Sequence, residues 1–239
     1  MNVEALLSIA GVTKRFGGLV ANSEIDMELK AGEIVGLIGP NGAGKTTLFN
    51  CIAGYYAPTE GTITFRGENI VGLPPEAIAL RGIARTFQIV RVFSSLTVLE
   101  NVMVGAMLRV KAVGAAQKRA QDILEFVGLT RSASRLASEV TVAEQKRLEV
   151  ARGLALDPQL IILDEVMAGL NAVEVKTAVE LVKRIRDRGI ACLVVEHVME
   201  GIMPIANRMI VLDYGKKIAE GTPAEIAANP QVIAAYLGE

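Results

Sequence analysis

Gly39-Pro40-Asn41-Gly42-Ala43-Gly44-Lys45-Thr46 follows a near-continuous aliphatic run, Glu33 to Ile38, and leads into a stretch that reads as a helix. The string satisfies G-x-x-x-x-G-K-[ST] between a strand and a helix, the context in which that motif has a mechanism. Its glycines let the chain curl until backbone N–H groups point at phosphate oxygens, and the next helix adds its positive N-terminus. In such a loop Lys45 reaches the β- and γ-phosphates, the Thr46 hydroxyl ligates Mg²⁺, and Thr47 continues the phosphate-facing end of the helix. A glycine-rich turn that merely precedes a lysine would need neither the strand nor the helix.

A phosphate site also needs something to hold the metal and prepare water. Leu160-Ile161-Ile162-Leu163 is a second aliphatic run and ends in Asp164-Glu165. Asp164 is the candidate for Mg²⁺ through its water shell, and Glu165 for polarising the attacking water. A third run, Ile190 to Val195, ends in Glu196-His197, the single histidine. Near-continuous aliphatic runs read as strands covered on both faces. Parallel strands of that kind deliver their last residues to one edge of the sheet, where open α/β folds bind ligands. His197 is therefore expected near the γ-phosphate, positioning water or sensing the nucleotide.

Around this core the periodicity changes. Ile25 to Leu29 and Thr62 to Arg66 alternate strictly between apolar and polar, the pattern of antiparallel, half-exposed strands. From about Val98 to Leu156 apolar residues fall at helical spacing instead, as in Ala116, Ala120, Ile123, Leu124 and Val127 before Gly128. Val175, Ala178, Leu181, Val182 and Ile185 mark another amphipathic helix closed by Gly189, and Thr222-Pro223-Ala224-Glu225 is a capping box with proline at the first helical position. Asn229-Pro230 opens a last short helix. The fold class that follows is α/β: a P-loop core with a mostly parallel sheet, an antiparallel β-subdomain and an inserted helical subdomain.

Composition narrows the partners. The 25 basic and 26 acidic residues are spread along the chain, so no basic field points to nucleic acid. Cys51 and Cys192 lack metal-ligand spacing and read as buried small hydrophobes in a reducing compartment. Met1-Asn2-Val3-Glu4 lacks a signal-peptide pattern, and no segment reaches the roughly 18 consecutive apolar residues of a membrane helix. Hydrophobic residues at 51% with aromatics at 4% fit buried parallel strands under helices, and also a greasy docking surface.

Taken together the motifs resemble the nucleotide-binding domains of ABC transporters over essentially the whole chain, 1–239, with the helical subdomain inserted at about 89–157. Thr86-Phe87-Gln88 looks like the Q-loop, whose glutamine meets Mg²⁺ and links the ATP core to the helices. Ala168-Gly169-Leu170-Asn171 looks like the D-loop, Glu196-His197 like the switch histidine, and Phe16 sits where the family carries the aromatic that stacks on adenine. One branch is closer still, the ATPases of importers of branched-chain, hydrophobic amino acids. Ile83 to Gln88, Val90-Arg91-Val92-Phe93, Leu96 to Asn101 and the ending Ala235-Tyr236-Leu237-Gly238-Glu239 carry that likeness without any catalytic reason to be similar. The resemblance implies two ATP-binding subunits, two permease subunits and an external solute-binding protein, with this chain peripheral on the cytoplasmic face of the membrane.

The chain departs from the family at the signature motif, usually Leu-Ser-Gly-Gly-Gln. Aligned by Arg147-Leu148-Glu149-Val150-Ala151-Arg152, its equivalent is Val140-Thr141-Val142-Ala143-Glu144. Thr141 keeps a hydroxyl, Ala143 replaces a glycine that should approach the γ-phosphate, and Glu144 replaces a neutral amide. Glu144 is expected either to disturb the triphosphate or to turn toward Lys146, Arg147 or solvent. Val166 and Val198 also stand where proline and aspartate are usual. In this family two domains close head to tail, so Thr141, Val142, Ala143 and Glu144 would cap a partner's ATP. Two rivals remain: a soluble ATPase of the same type acting as a switch on ribosomes or chromatin, and a module that binds nucleotide without turnover. The first usually carries paired cassettes, coiled-coil insertions or basic arms, and retention of Glu165 and His197 argues against the second.

Overall fold

Two sheets organise the computed structural model, which describes residues 5–87 and 91–237. In chain order come β1 (Leu7–Phe16), β2 (Leu19–Leu29), β3 (Ile34–Ile38), α1 (Lys45–Ile52), β4 (Glu60–Phe65), β5 (Glu68–Asn69), α2 (Pro75–Arg81) and β6 (Ile83–Arg85). The helical stretch follows as α3 (Val98–Ala106), α4 (Val113–Val127), a 3-10 turn at Thr130–Ser132 and α5 (Val142–Ala155). The chain then returns to the sheet through β7 (Leu160–Asp164), α6 (Ala172–Asp187), β8 (Ala191–Val195), α7 (Met199–Ile202), β9 (Arg208–Asp213) and β10 (Lys216–Gly221), and ends in α8 (Pro223–Ala228) and α9 (Pro230–Leu237).

The alternating segments form the antiparallel sheet β2-β1-β4-β5, and Ile25, Met27, Leu29, Ile63 and Phe65 bury one face of it. The aliphatic runs form the second sheet, ordered β10-β9-β3-β8-β7-β6, parallel except for β10 at the edge. Every residue of β3, β7 and β8 is buried, because successive side chains point to opposite faces and both faces are covered. Ile161 and Leu163 face the helices α3 to α6, while Leu160 and Ile162 face α1 and the antiparallel sheet. Each such fully buried aliphatic side chain contributes about 1.5–3 kcal/mol.

The helical insertion has no core of its own: Val98, Ala116, Leu124 and Leu148 belong to the same apolar cluster as Ile34 and Leu163. On α4 the five apolar positions that set its helical period are all buried, and Gly128 ends it at φ 74°. Phe126 braces the insertion against α6, with the guanidinium carbons of Arg184 and Arg188 at 4.5 and 3.5 Å from its ring centroid. Asn171 caps α6, and Thr222 and Glu225 form the capping box of α8 with Pro223 at its first position. Arg208 ties the two sheets by donating to Glu33 at 2.7 Å and to the Glu28 carbonyl. Cys51 and Cys192 are both buried thiols.

Candidate nucleotide site

The loop after β3 needs glycine for reasons visible in its contacts. Gly39 adopts φ 148°, and a Cβ there would lie 2.1 Å from the Leu212 carbonyl oxygen; Gly44 adopts φ 97°, with a Cβ 2.4 Å from that of Ala21. No side chain caps α1, whose first residues are Lys45, Thr46 and Thr47, so its N-terminal amides suit an anion. Lys45 Nζ donates to the carbonyls of Gly39 at 2.6 Å and Pro40 at 2.9 Å. Partial burial pulls its pKa down, and the charges of Glu165 and Asp164 oppose that.

These residues open onto a cleft of about 410 Å³ shared by Asn41 to Thr47, Phe16, Glu165 and Tyr214. Phe16 meets Tyr56 edge-on at 5.2 Å between ring centroids, with Lys14 Nζ 5.0 Å from its own centroid. Tyr214, which the sequence reading did not single out, is 89% exposed at the tip of the β9–β10 hairpin. The neighbouring Gly215 N–H donates to the Ala43 carbonyl at 3.1 Å, which fastens that hairpin to the phosphate loop.

Asp164 closes β7 almost fully buried and accepts from Arg85 Nη2 at 3.0 Å; Arg85 also donates to Asn50 at 2.5 Å. Burial pushes the Asp164 carboxyl up, and the guanidinium beside it holds it down. Arg85 was legible only as a letter in a family-like string, although a charge closing the apolar pair Ile83-Ala84 was a signal. Glu165 follows in the left-handed region at φ 51°, rare for a residue with a side chain. Its N–H donates to the Val195 carbonyl at 2.9 Å, and its Oε1 lies 3.8 Å from Nδ1 of the exposed His197. Beneath this turn the buried Glu196 accepts the Met167 N–H at 2.6 Å, and burial pushes its carboxyl up.

Gln88 lies outside the described residues. Its neighbours Phe87 and Arg91 both give their N–H to the buried carboxylate of Glu149 on α5, a residue the sequence reading used only for alignment. Thr141, Ala143 and Glu144 line a second cavity, of about 290 Å³, between α5 and α6. There Thr141 is the N-cap of α5, its Oγ accepting the Glu144 N–H at 3.2 Å. The Glu144 carboxylate turns back into its own chain and meets neither Lys146 nor Arg147. It accepts from Ser132 Oγ at 2.5 Å and from the Thr141 N–H at 2.9 Å, which hold it below the usual carboxylate range. Val142 is 60% exposed beside it.

A glycine loop at a helix start, a strand ending in Asp-Glu and a helical insertion sharing the sheet's core define a P-loop ATPase cassette. The ABC transporter family matches residues 23–168, and the branched-chain amino acid ATP-binding cassette transporters match residues 216–239. The chain is 44% identical to the high-affinity branched-chain amino acid transport ATP-binding protein LivG of Salmonella typhimurium, over 99% of both chains. Among solved structures it is similar to the ADP conformation of MJ1267, an ATP-binding cassette of an ABC transporter, with a TM-score of 0.90 and 28% identity over 99% of this chain and 100% of that one. It is also similar to the dimeric post-hydrolysis state of the cassette MJ0796 bound to ADP and Pi, with a TM-score of 0.82 and 26% identity over 91% of this chain and 98% of that one. The chain belongs to the ABC transporter family, as an ATP-binding protein that hydrolyses ATP.

Proposed function

We propose that this ATPase energises uptake of branched-chain or other hydrophobic amino acids, working on the cytoplasmic face of the membrane through permease subunits. A second ATP-binding subunit would complete the motor, and an external solute-binding protein would deliver the substrate. The observation that carries the reading is that Asn41 to Thr47 and Glu165 line one cleft. Among the described residues no helix is long and apolar enough to cross a membrane, so the transported solute needs a path through other chains. The likeness to LivG over the full length supports the choice of solute.

In this reading Phe16 stacks on adenine, while Lys45 and the amides at the start of α1 bind the phosphates. The oxygen donors suit Mg²⁺, which keeps several waters and takes one or two protein oxygens beside the substrate phosphates. Thr46 and Asp164 would hold it with Gln88, and the ion would neutralise charge developing on the γ-phosphate. Arg85, bonded to Asp164 Oδ2, orients that carboxylate. Glu165 accepts the proton of the attacking water, and His197 holds the water or the γ-phosphate in place. Head-to-tail closure with a partner would lay Thr141, Val142, Ala143 and Glu144 over the partner's ATP. Coupling to the permease would use the cleft of about 460 Å³ lined by Phe87, Arg91, Phe93, Leu108 and Arg152, beside the Q-loop.

The test uses Glu165→Gln in the assembled complex. ATP binding should persist while turnover falls by about 10²-fold or more, since the amide keeps the shape but accepts no proton. In vesicles the wild-type complex should take up leucine only with ATP inside and the binding protein outside. Turnover within a few-fold of wild type removes Glu165 as the base, and ATPase unaffected by the loaded binding protein removes the import reading.

A further inference from the structure

The turn that carries Glu165 is held from two sides by side chains to which no role has been given. Lys146, one helical turn into α5, sends its ammonium to two carbonyls of that turn, Glu165 at 2.8 Å and Ala168 at 2.6 Å. From the other side Glu196, at the end of β8, accepts the Met167 N–H. Between these anchors Glu165 sits in the left-handed region, a conformation that persists in a residue with a side chain only when its surroundings hold it.

Leu148 and Val150 of α5 share an apolar cluster with Val166 and Met167 of this turn, yet the packing leaves a gap. The cavity of about 290 Å³ lies between them, lined by Ala143, Val150, Val166 and Ala178 as well as by Lys146 itself. Close packing transmits position, and a gap does not. The ammonium is half-buried, which pulls its pKa down, while Glu196, Glu165 and Glu149 favour its charge. A half-buried lysine with its donors on backbone carbonyls fixes geometry, and a misplacement of about 1 Å at a reacting group costs on the order of 10²-fold in rate.

The geometry points to Lys146 as a positioning residue for hydrolysis: its ammonium locks the left-handed turn of Glu165 to α5, so that the base is in place only when the helical insertion is. Because Thr141 to Glu144 open the same helix, a contact made on that end of α5 reaches Glu165 through one side chain.

The experiment compares Lys146→Met, which keeps the stem and removes the donors, with Lys146→Arg, which keeps donors and charge, in the assembled complex. For Lys146→Met the expected result is a kcat lower by about 10-fold or more, with KM for ATP and Kd for MgADP within two-fold of wild type. Backbone hydrogen exchange over residues 164–169 should quicken, and Lys146→Arg should recover at least half of the lost rate. Should Lys146→Met fail to fold, Lys146→Gln takes its place under the same criteria. A kcat within two-fold of wild type overturns the assignment, and so does a loss in which kcat, KM and Kd move together, which marks a general disturbance. The inference rests on Glu165 as the base, so Glu165→Gln is run in parallel. If that variant is inactive and Lys146→Met is not, the tether fails and the catalytic reading stands.

Discussion

Glu144→Gln should weaken the chain's own fold while improving the partner's ATP site that it is proposed to cap. In the structure this carboxylate accepts from Ser132 Oγ and the Thr141 N–H at the positive end of α5. The amide keeps one acceptor oxygen and loses the charge. A hydrogen bond to a charged group contributes about 1.5–3 kcal/mol against about 0.5–1.5 kcal/mol for a neutral one, and a negative charge at a helix N-terminus adds about 0.3–1 kcal/mol. Partial exposure reduces both, leaving about 1 kcal/mol, or a Tm lower by about 2–4 °C for a chain of this size. The pH dependence has a definite sign. The folded pKa is depressed, so the contribution is complete above the unfolded value near 4.3 and is lost as pH falls through the folded pKa. Thermal melts of wild type and variant should therefore differ at pH 7 and converge in acid. In the assembled transporter, Glu144→Gln combined with Ala143→Gly should raise ATPase at the partner's site, by removing a charge and a methyl group from the surface that closes on its triphosphate. A Tm at pH 7 equal to or above wild type refutes the capping account, and an unchanged partner rate refutes the effect on closure.

Two further outcomes follow from the site and the core. Phe16→Ala should raise KM for ATP by roughly five-fold with kcat within two-fold, because about 1 kcal/mol of stacking binds ground and transition states alike; steady-state kinetics with ATP and GTP check it. Burial pushes the thiols of Cys51 and Cys192 up to about 11 and about 12, so a thiolate-specific reagent at pH 8 should modify neither in the native protein and both in denaturant, as mass spectrometry would show.

The fold was legible where residues repeat a pattern long enough to count. β3, β7 and β8 read as two-face strands because their apolar runs are nearly continuous, and α4 read as a helix because five apolar positions share a stripe. β6 is three residues long and offers no period, and the edge strand β10 carries lysines that look like loop. The glycine loop and Asp164-Glu165 could be read as one candidate site because each motif is local in sequence, and Asn41 to Thr47 do share a cleft with Glu165. Arg85, Lys146, Glu149 and Glu196 were not legible, since each acts on a partner from another element: Arg85 reaches Asp164, and Lys146 reaches Glu165. Glu144 illustrates the same limit, because its nearest donor, Ser132, belongs to the preceding turn.

Besides the apolar cluster it shares with the sheet, the insertion meets α6 and the Glu165 turn through two polar contacts of opposite character. The guanidinium groups of Arg184 and Arg188 lie over the Phe126 ring, and a ring face has no register: guanidinium groups can slide across it with little change in energy. Lys146 grips two carbonyls at fixed points and has no such latitude. With the Lys146 contacts kept, a swing of the helices would be a rotation centred beside the Glu165 turn, displacing that turn least and the far end of the insertion most.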